Sequence, residues 1–418
     1  MKKSKFLIYA ALAAATVAIS SCSDNDVLDS TTKAKGNALI VNASLNDGSR
    51  IATTGSDGFN SFMLYGYTNP TSGTPTSLFD VTGDGIAYQK TSGTWGLVDA
   101  NLASKAVWPS SSGGTYNFYA LSVDGSASLP SYTGVSLTNI NQGQFVYTGK
   151  SDLSEQEDIL VASSLGTVKP AGGILTLPFK HALAKLTMQM RFNSYEGGNA
   201  TGDIMDNYVY TIKSITIHNV KLNGQYSFSS DGWTPSDVGD VTINFSPVIS
   251  INSKHLTGDA EYQDIIDNAH SIMIVPQTTS SSAWVSTKGN EKPLADAEGT
   301  SYIEVLGWIW DRAGTKDALM DDFSWTGNEA ETFLNTYPLG SLDISKTNTD
   351  VVYNGQTGKD IGRCYQFLVD DNRDACPVYF PFPASFSFEK NKYYNIRLNI
   401  YNGLYDNGFY AINGAGQV

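Results

Sequence analysis

An all-β chain folded into antiparallel sandwiches is what this sequence predicts. Nearly every ordered stretch alternates apolar and polar residues with a period of two, as a strand does when one face meets a core and the other meets water. Gly, Asn, Asp, Ser and Pro punctuate those stretches at short intervals, as turns require. No heptad, no short internal repeat and no strand–helix–strand alternation competes, so antiparallel sandwiches are the default. The chain has 418 residues, length for two or three domains at roughly 150 residues each.

The N-terminus reads as an address. Lys2, Lys3 and Lys5 form a basic start, and Phe6 to Ile19 is apolar, too short for a membrane span of about 20 residues. Residues 1–21 are therefore a secretion signal. Its end, Ile19-Ser20-Ser21-Cys22, resembles a bacterial lipobox, in which the cysteine is acylated and becomes the mature N-terminus. The alternative is an ordinary signal peptide with a cysteine near its cleavage site. The next residues, Ser23-Asp24-Asn25-Asp26, resemble the acidic surface-export signal of Bacteroidales lipoproteins. Small, polar residues fill the rest of 22–37, which suits a tether.

The first strand follows. Leu39, Val41, Ala43 and Leu45 share one face. Further strands are expected at 116–123, 174–179, 186–192, 212–222, 241–245, 271–275, 301–310, 377–382 and 394–401. The apolar parity slips by one after Ile217, which predicts a β-bulge near His218 and Asn219. Pro178 places its strand at an edge or an end. Short helices are expected at Glu329 to Tyr337 and Glu261 to His270, and long loop insertions at 281–300 and 312–360. A Pro/Gly cluster at 169–173 precedes a fresh strand near Leu183, so we divide the chain into an N-terminal sandwich, 38–180, and a C-terminal sandwich, 181–418.

Charge narrows the partners. There are 41 acidic and 27 basic residues, a net charge of −14, which becomes −17 once the three signal lysines are gone. That acidity, with no Lys/Arg cluster past the N-terminus, argues against nucleic acid. The four histidines are scattered and suggest no metal cluster. No cofactor motif appears, and no nucleophile elbow, zinc-protease motif or phosphate-binding loop, so no catalytic residue is assigned.

Three features remain as site candidates. Cys364 and Cys376 flank a turn-like Asp370-Asp371-Asn372-Arg373-Asp374. In an oxidising compartment they are either a disulfide, contributing up to about 3 kcal/mol, or two buried thiols. Trp308 and Trp310 share a strand face with Glu304. They are either sugar-stacking aromatics or core residues. Arg50 stands in a Gly/Ser loop after the first strand, accessible to a protease or simply a surface arginine.

The stretch Pro178-Phe179-Lys180-His181-Ala182-Leu183-Ala184-Lys185-Leu186-Thr187 resembles the HALAKL signature of Bacteroidales fimbrillins, the Mfa-like and FimA-type pilins of type V pili. Tyr116-Asn117-Phe118-Tyr119-Ala120, Ile272-Met273-Ile274-Val275-Pro276-Gln277 and Asn391-Lys392-Tyr393-Tyr394-Asn395-Ile396 resemble further family strands in the family's order. The resemblance implies two transthyretin-like β-sandwich domains and an outer-membrane lipoprotein anchored through Cys22. It implies a structural or adhesive role as stalk, tip or anchor of a surface fimbrium rather than catalysis, with His181 a strand-entry residue. Its partners would be other fimbrillin subunits and a host or microbial surface ligand. Assembly would follow cleavage after an early arginine, here Arg50. The strand Ala38 to Leu45 would leave, and an extended strand of another subunit would fill its groove. The candidate donor is Tyr393 to Ile412, whose first half could equally be a permanent core strand and in which only Phe409 to Ile412 is apolar past Gly408. The rival function is a carbohydrate-binding surface lipoprotein that never enters fibres.

Overall fold

The computed structural model describes residues 37–46, 59–110, 113–123, 134–150, 156–193, 208–254, 262–267, 271–279, 284–285, 292–293, 300–336, 352–357, 364, 366–367, 376–382 and 386–401. Its strands in the first part of the chain are β1 (Ile40–Leu45), β2 (Ser61–Thr68), β3 (Gly85–Thr91), β4 (Thr94–Leu97), β5 (Tyr116–Val123), β6 (Val135–Ser136), β7 (Gln144–Thr148), β8 (Ile159–Thr167) and β9 (Ile174–His181). Then come β10 (Ala184–Asn193), β11 (Tyr208–Ser227), β12 (Gly232–Lys254), β13 (Gln263–Ile266), β14 (Ile272–Ile274), β15 (Gln277–Thr278), β16 (Trp284–Val285), β17 (Lys292–Pro293) and β18 (Tyr302–Asp311). Helices α1 (Arg312–Phe323) and α2 (Gly327–Thr336) precede β19 (Val352–Tyr353), β20 (Gln356–Thr357), β21 (Gln366–Phe367), β22 (Cys376–Pro381), β23 (Ser387–Phe388) and β24 (Tyr393–Tyr401). The fold is all-β and sandwich-like, as expected.

Among the described residues, seven strands form one sheet in the order β1-β9-β8-β5-β2-β3-β4. The sheet curls until its edges meet, and the Trp95 Nε1–H of β4 donates to the Ala43 carbonyl of β1 at 2.8 Å. Leu64, Phe118, Ala120 and Leu160 fill the core inside that curl. Their neighbours Tyr65, Tyr119, Leu121 and Val161 are buried on the opposite face. There they pack with Phe145 and Tyr147 of β7 and with Tyr226 and Phe228 at the far end of β11. This sheet is thus covered on both sides, which is why its central strands read as nearly continuous apolar runs.

The chain leaves the first sheet at His181 and enters the second, eleven-stranded sheet at Ala184. The long β11–β12 hairpin is the spine of that second sheet. The first half of β11 pairs with β18 and its last turns pair with β7. The ladder skips a register between Ile217 and Val220, and Asn219 takes φ +55°, so the bulge stands where the parity slip put it. Leu186, Met188, Ile215, Ile217, Val305 and Ile396 share the core beneath. On the opposite face α1 and α2 close over the end of β18.

Three expectations are corrected. Within 261–270 the described residues form strand β13, not a helix. Ile265 and Ile266 are buried in the main core, and pairing with β10 outweighs local preference. β9 is an interior strand despite Pro178. The Gly173 and Phe179 carbonyls accept from Ile40 and Asn46 of the β1 segment, so Pro178 turns its ring nitrogen to the other side. There β8 pairs only with Lys180 and His181, and no ladder bond is lost. Finally, α1 occupies part of the supposed 312–360 loop. Asp311 caps it by accepting from the Gly314 N–H at 2.9 Å. Helix α2 matches its expected place and starts with a capping box: the Thr326 N–H donates to Glu329 and the Glu329 N–H to Thr326 Oγ1.

Candidate functional site

The candidate site is the seat of β1. This strand is the first among the described residues and stands at one edge of its sheet. It runs parallel to β9 in a simple register, Ile40 opposite Ile174 through Leu45 opposite Phe179. Leu39, Val41 and Ala43 are buried and Leu45 is partly so, while Asn42 and Ser44 face outward. Period-two alternation thus makes β1 a row of apolar pegs in a groove. Leu175, Leu177 and Phe179 of β9 share that core. Trp95 closes the far side, its ring 5.0 Å from Phe59 and 4.9 Å from Phe62.

Few bonds besides the β9 ladder hold β1. The Leu39 N–H donates to Ala106 O at 3.0 Å and the Trp108 N–H to Asn37 O at 2.7 Å. The Trp108 indole donates to Gly173 O at 2.8 Å, steadying the start of β9 itself. Removing β1 would leave every other described strand pairing of the sheet intact and open one apolar channel bordered by an unpaired edge of β9. The sequence pointed to the strand and its face. It did not point to Trp95, whose Thr94-Trp95-Gly96 setting looks like an exposed turn.

The HALAKL stretch is the crossing between the sheets, and it is densely tied. His181 is buried, its Nδ1 2.8 Å from Asp158 Oδ2. The Trp233 indole donates to Ala182 O at 2.6 Å. The Lys185 N–H donates to Lys392 O at 3.0 Å. Beside it, Asp231 gathers Lys180 and Lys390, the latter at 2.5 Å, and accepts from the Tyr226 hydroxyl at 2.5 Å. These contacts make His181 a structural residue of the junction.

Burial works to raise the Asp231 carboxyl, but hydrogen bonds from Lys180, Lys390 and Tyr226 outweigh it and hold it below the usual range. A depressed folded value means that the unfolded chain takes up the proton first. The contribution is complete above the ordinary carboxylate value of about 3.9 and is lost as pH falls through the lower folded value. We expect thermal unfolding midpoints of Asp231→Asn to fall less steeply than those of the parent between pH 5 and pH 2. Parallel slopes would contradict this.

Trp310 is not a ligand-stacking residue. It is 2% exposed, packed under α1 and α2, and its indole donates to Thr211 Oγ1 at 2.9 Å. Trp308 is half-buried, with Lys213 Nζ 5.8 Å from its ring centre. The two therefore do not form one exposed surface.

The expected Cys364–Cys376 disulfide is also corrected. Cys364 is a buried thiol outside any disulfide, and its S–H donates to Asp322 Oδ2 at 3.3 Å. Along β18, Gly307 faces Cys376 while Asp311 faces Gln366. Those two positions are about 13 Å apart at 3.3 Å per residue, and Cys364 lies past Gln366. A disulfide needs Cα atoms within about 7 Å. The first half of the donor candidate is β24, paired with β10 and buried in its own core. Its remainder past Tyr401, like Cys22 and Arg50, lies outside the described residues.

Among the described residues, no group of three or more His, Cys, Asp or Glu could hold a metal ion, and no helix is long and apolar enough to cross a membrane.

A family model described as fimbrillin-like matches residues 49–302, more than half of the chain. Solved structures are also similar. A candidate cell adhesion protein of Bacteroides ovatus is 12% identical, with 87% of this chain and 91% of that chain covered and a TM-score of 0.37. One from Bacteroides eggerthii is 9% identical, covering 91% and 92%, at 0.38. One from Parabacteroides distasonis is 10% identical, covering 91% and 90%, at 0.35. No curated protein matches the chain.

Proposed function

Because the chain belongs to the fimbrillin-like family, we propose that it is a structural or adhesive subunit of a surface pilus, exported as an outer-membrane lipoprotein and assembled by strand exchange. It is not an enzyme. The observation that carries the proposal is the seating of β1: a leading edge strand, held mainly by one neighbour, with alternate side chains plugged into a core.

Cleavage after Arg50 would cut β1 from the rest of the chain. Its departure would leave an unpaired β9 edge and empty apolar pockets, both costly in water. An extended strand from another subunit, with apolar residues at alternate positions, would satisfy both at once. Other fimbrillin subunits are the partners this implies, the lipid at Cys22 ties the precursor to the outer membrane, and a host or microbial surface is the adhesive target. The two parts of the chain, 38–180 and 181–418, would travel as one subunit, since the aromatic cluster around Phe145, Tyr226 and Phe228 joins residues of both.

The test compares the parent with Arg50→Ala in a sheared surface fraction, blotted unheated and boiled. The parent should give a ladder that collapses on boiling to a band lacking residues 1–50. Arg50→Ala should give one longer band that stays with the membrane. An identical ladder from Arg50→Ala would overturn cleavage at this arginine.

A further inference from the structure

The bulge in β11 has a consequence on the outer face of the second sheet. In the register, Thr216 of β11 faces Glu304 of β18, which in turn faces Tyr379 of β22. One step along, His218 faces Tyr302. Ile217, Ile303 and Val305 point into the core, so Thr216, His218, Tyr302, Glu304 and Tyr379 stand together on the opposite side.

Their geometry is organised. The His218 ring stacks on Tyr302 with centroids 4.4 Å apart and planes at 23°. Tyr302 meets Tyr379 edge-on, at 5.9 Å and 69°. The His218 Nδ1 lies 3.0 Å from Asp240 Oδ2 and its Nε2 lies 3.4 Å from Glu304 Oε2. Asp240 also accepts the Asn219 N–H of the bulge at 3.0 Å. The bulge therefore holds the imidazole through Nδ1, while its buried Nε2 makes no hydrogen bond and faces Glu304. Among the described residues, His218 is the polar partner within reach of that carboxylate, whose side chain remains 24% exposed. Its remaining lone pairs are open to a ligand. The two carboxylates sit at opposite ring nitrogens, so they do not converge on one cation.

We infer that this face is a binding platform for uncharged glycans. A pyranose offers an apolar C–H face to a phenol ring and hydroxyl donors to a part-exposed carboxylate, and the platform supplies both side by side. Burial first, and then Glu304, raises the Tyr302 and Tyr379 phenols, so both keep an O–H to donate. Glu304 and Asp240 repel sialylated and sulfated sugars. Leu306 continues the same row of β18, giving a strip about 13 Å long at 3.3 Å per residue, which ends where Trp308 packs against the helices. The inference is independent of strand exchange, because a chain that never polymerised would bind the same sugars.

The test applies the detergent-solubilised full chain to a printed array of neutral, sialylated and sulfated glycans. We expect neutral glycans to bind, with their sialylated or sulfated forms at least tenfold weaker. Tyr379→Ala and Glu304→Gln should each weaken binding at least tenfold. Glu304→Gln keeps the shape of the side chain, so it decides the matter if Tyr379→Ala fails to fold. Absence of neutral-glycan binding, preference for acidic glycans, capture of polylysine but no sugar, or binding unchanged in Glu304→Gln would each overturn the inference.

Discussion

A chain lacking residues 1–50 is expected to unfold at a temperature lower by on the order of 10 °C and to regain about half of that loss when a peptide spanning residues 38–46 is added. The truncation removes the buried side chains of Leu39, Val41 and Ala43 and the partly buried Leu45. At roughly 1.5–3 kcal/mol for a Leu or Val, about 5 kcal/mol of burial goes. That is a large fraction of a typical total of 5–15 kcal/mol. A shift of about 2–4 °C per kcal/mol for domains of this size gives the expected fall. Peptide at about a hundred times its Kd should return close to 2.7 kcal/mol. A variant peptide carrying Val41→Asp should not rescue, since it would bury a charge without a partner. Calorimetry with and without peptide measures this. Equal midpoints for the intact and truncated chains would mean that β1 is ornamental.

The second large effect concerns Cys22. Each methylene buried in a membrane contributes about 0.8 kcal/mol, and stable anchoring takes two signals, such as two acyl chains. Cys22→Ala should therefore stop incorporation of labelled palmitate and move the chain from the membrane pellet to the soluble fraction. Retention of the variant in the pellet, at the level of the parent, would contradict lipid anchoring.

Much of the fold was legible because strands betray themselves locally. Leu186, Met188, Met190 and Phe192 alternate without interruption, and they are the inner face of β10. The slip after Ile217 located a bulge because a single extra residue reverses every later side chain. What stayed hidden depends on contacts far apart in sequence. Nothing near Tyr119 announces that β7 and β11 will cover it, so the sequence predicts a half-exposed face for 116–123 where both faces are buried. The apolar run around Tyr65 shows no alternation to mark its strand. Helix α1 buries only Thr315 and Leu319, too little to print a 3.6-residue pattern. Trp310 and Trp308 share parity, but α1 and α2 bury Trp310 and pack against part of Trp308. The Tyr302, Tyr379 and His218 cluster joins three strands up to 161 positions apart in the chain, and only the register assembles it. The seat of β1 was half legible: its pegs show in residues 39–45, while Trp95 on the far wall does not.

The most direct measurement is N-terminal sequencing of the subunits released by boiling purified surface fibres. Strand exchange after cleavage predicts chains that begin at Ile51, with the β1 residues missing. Fibres whose subunits still begin at an acylated Cys22 and carry Leu39, Val41 and Ala43 would contradict it, because the groove would never have been emptied.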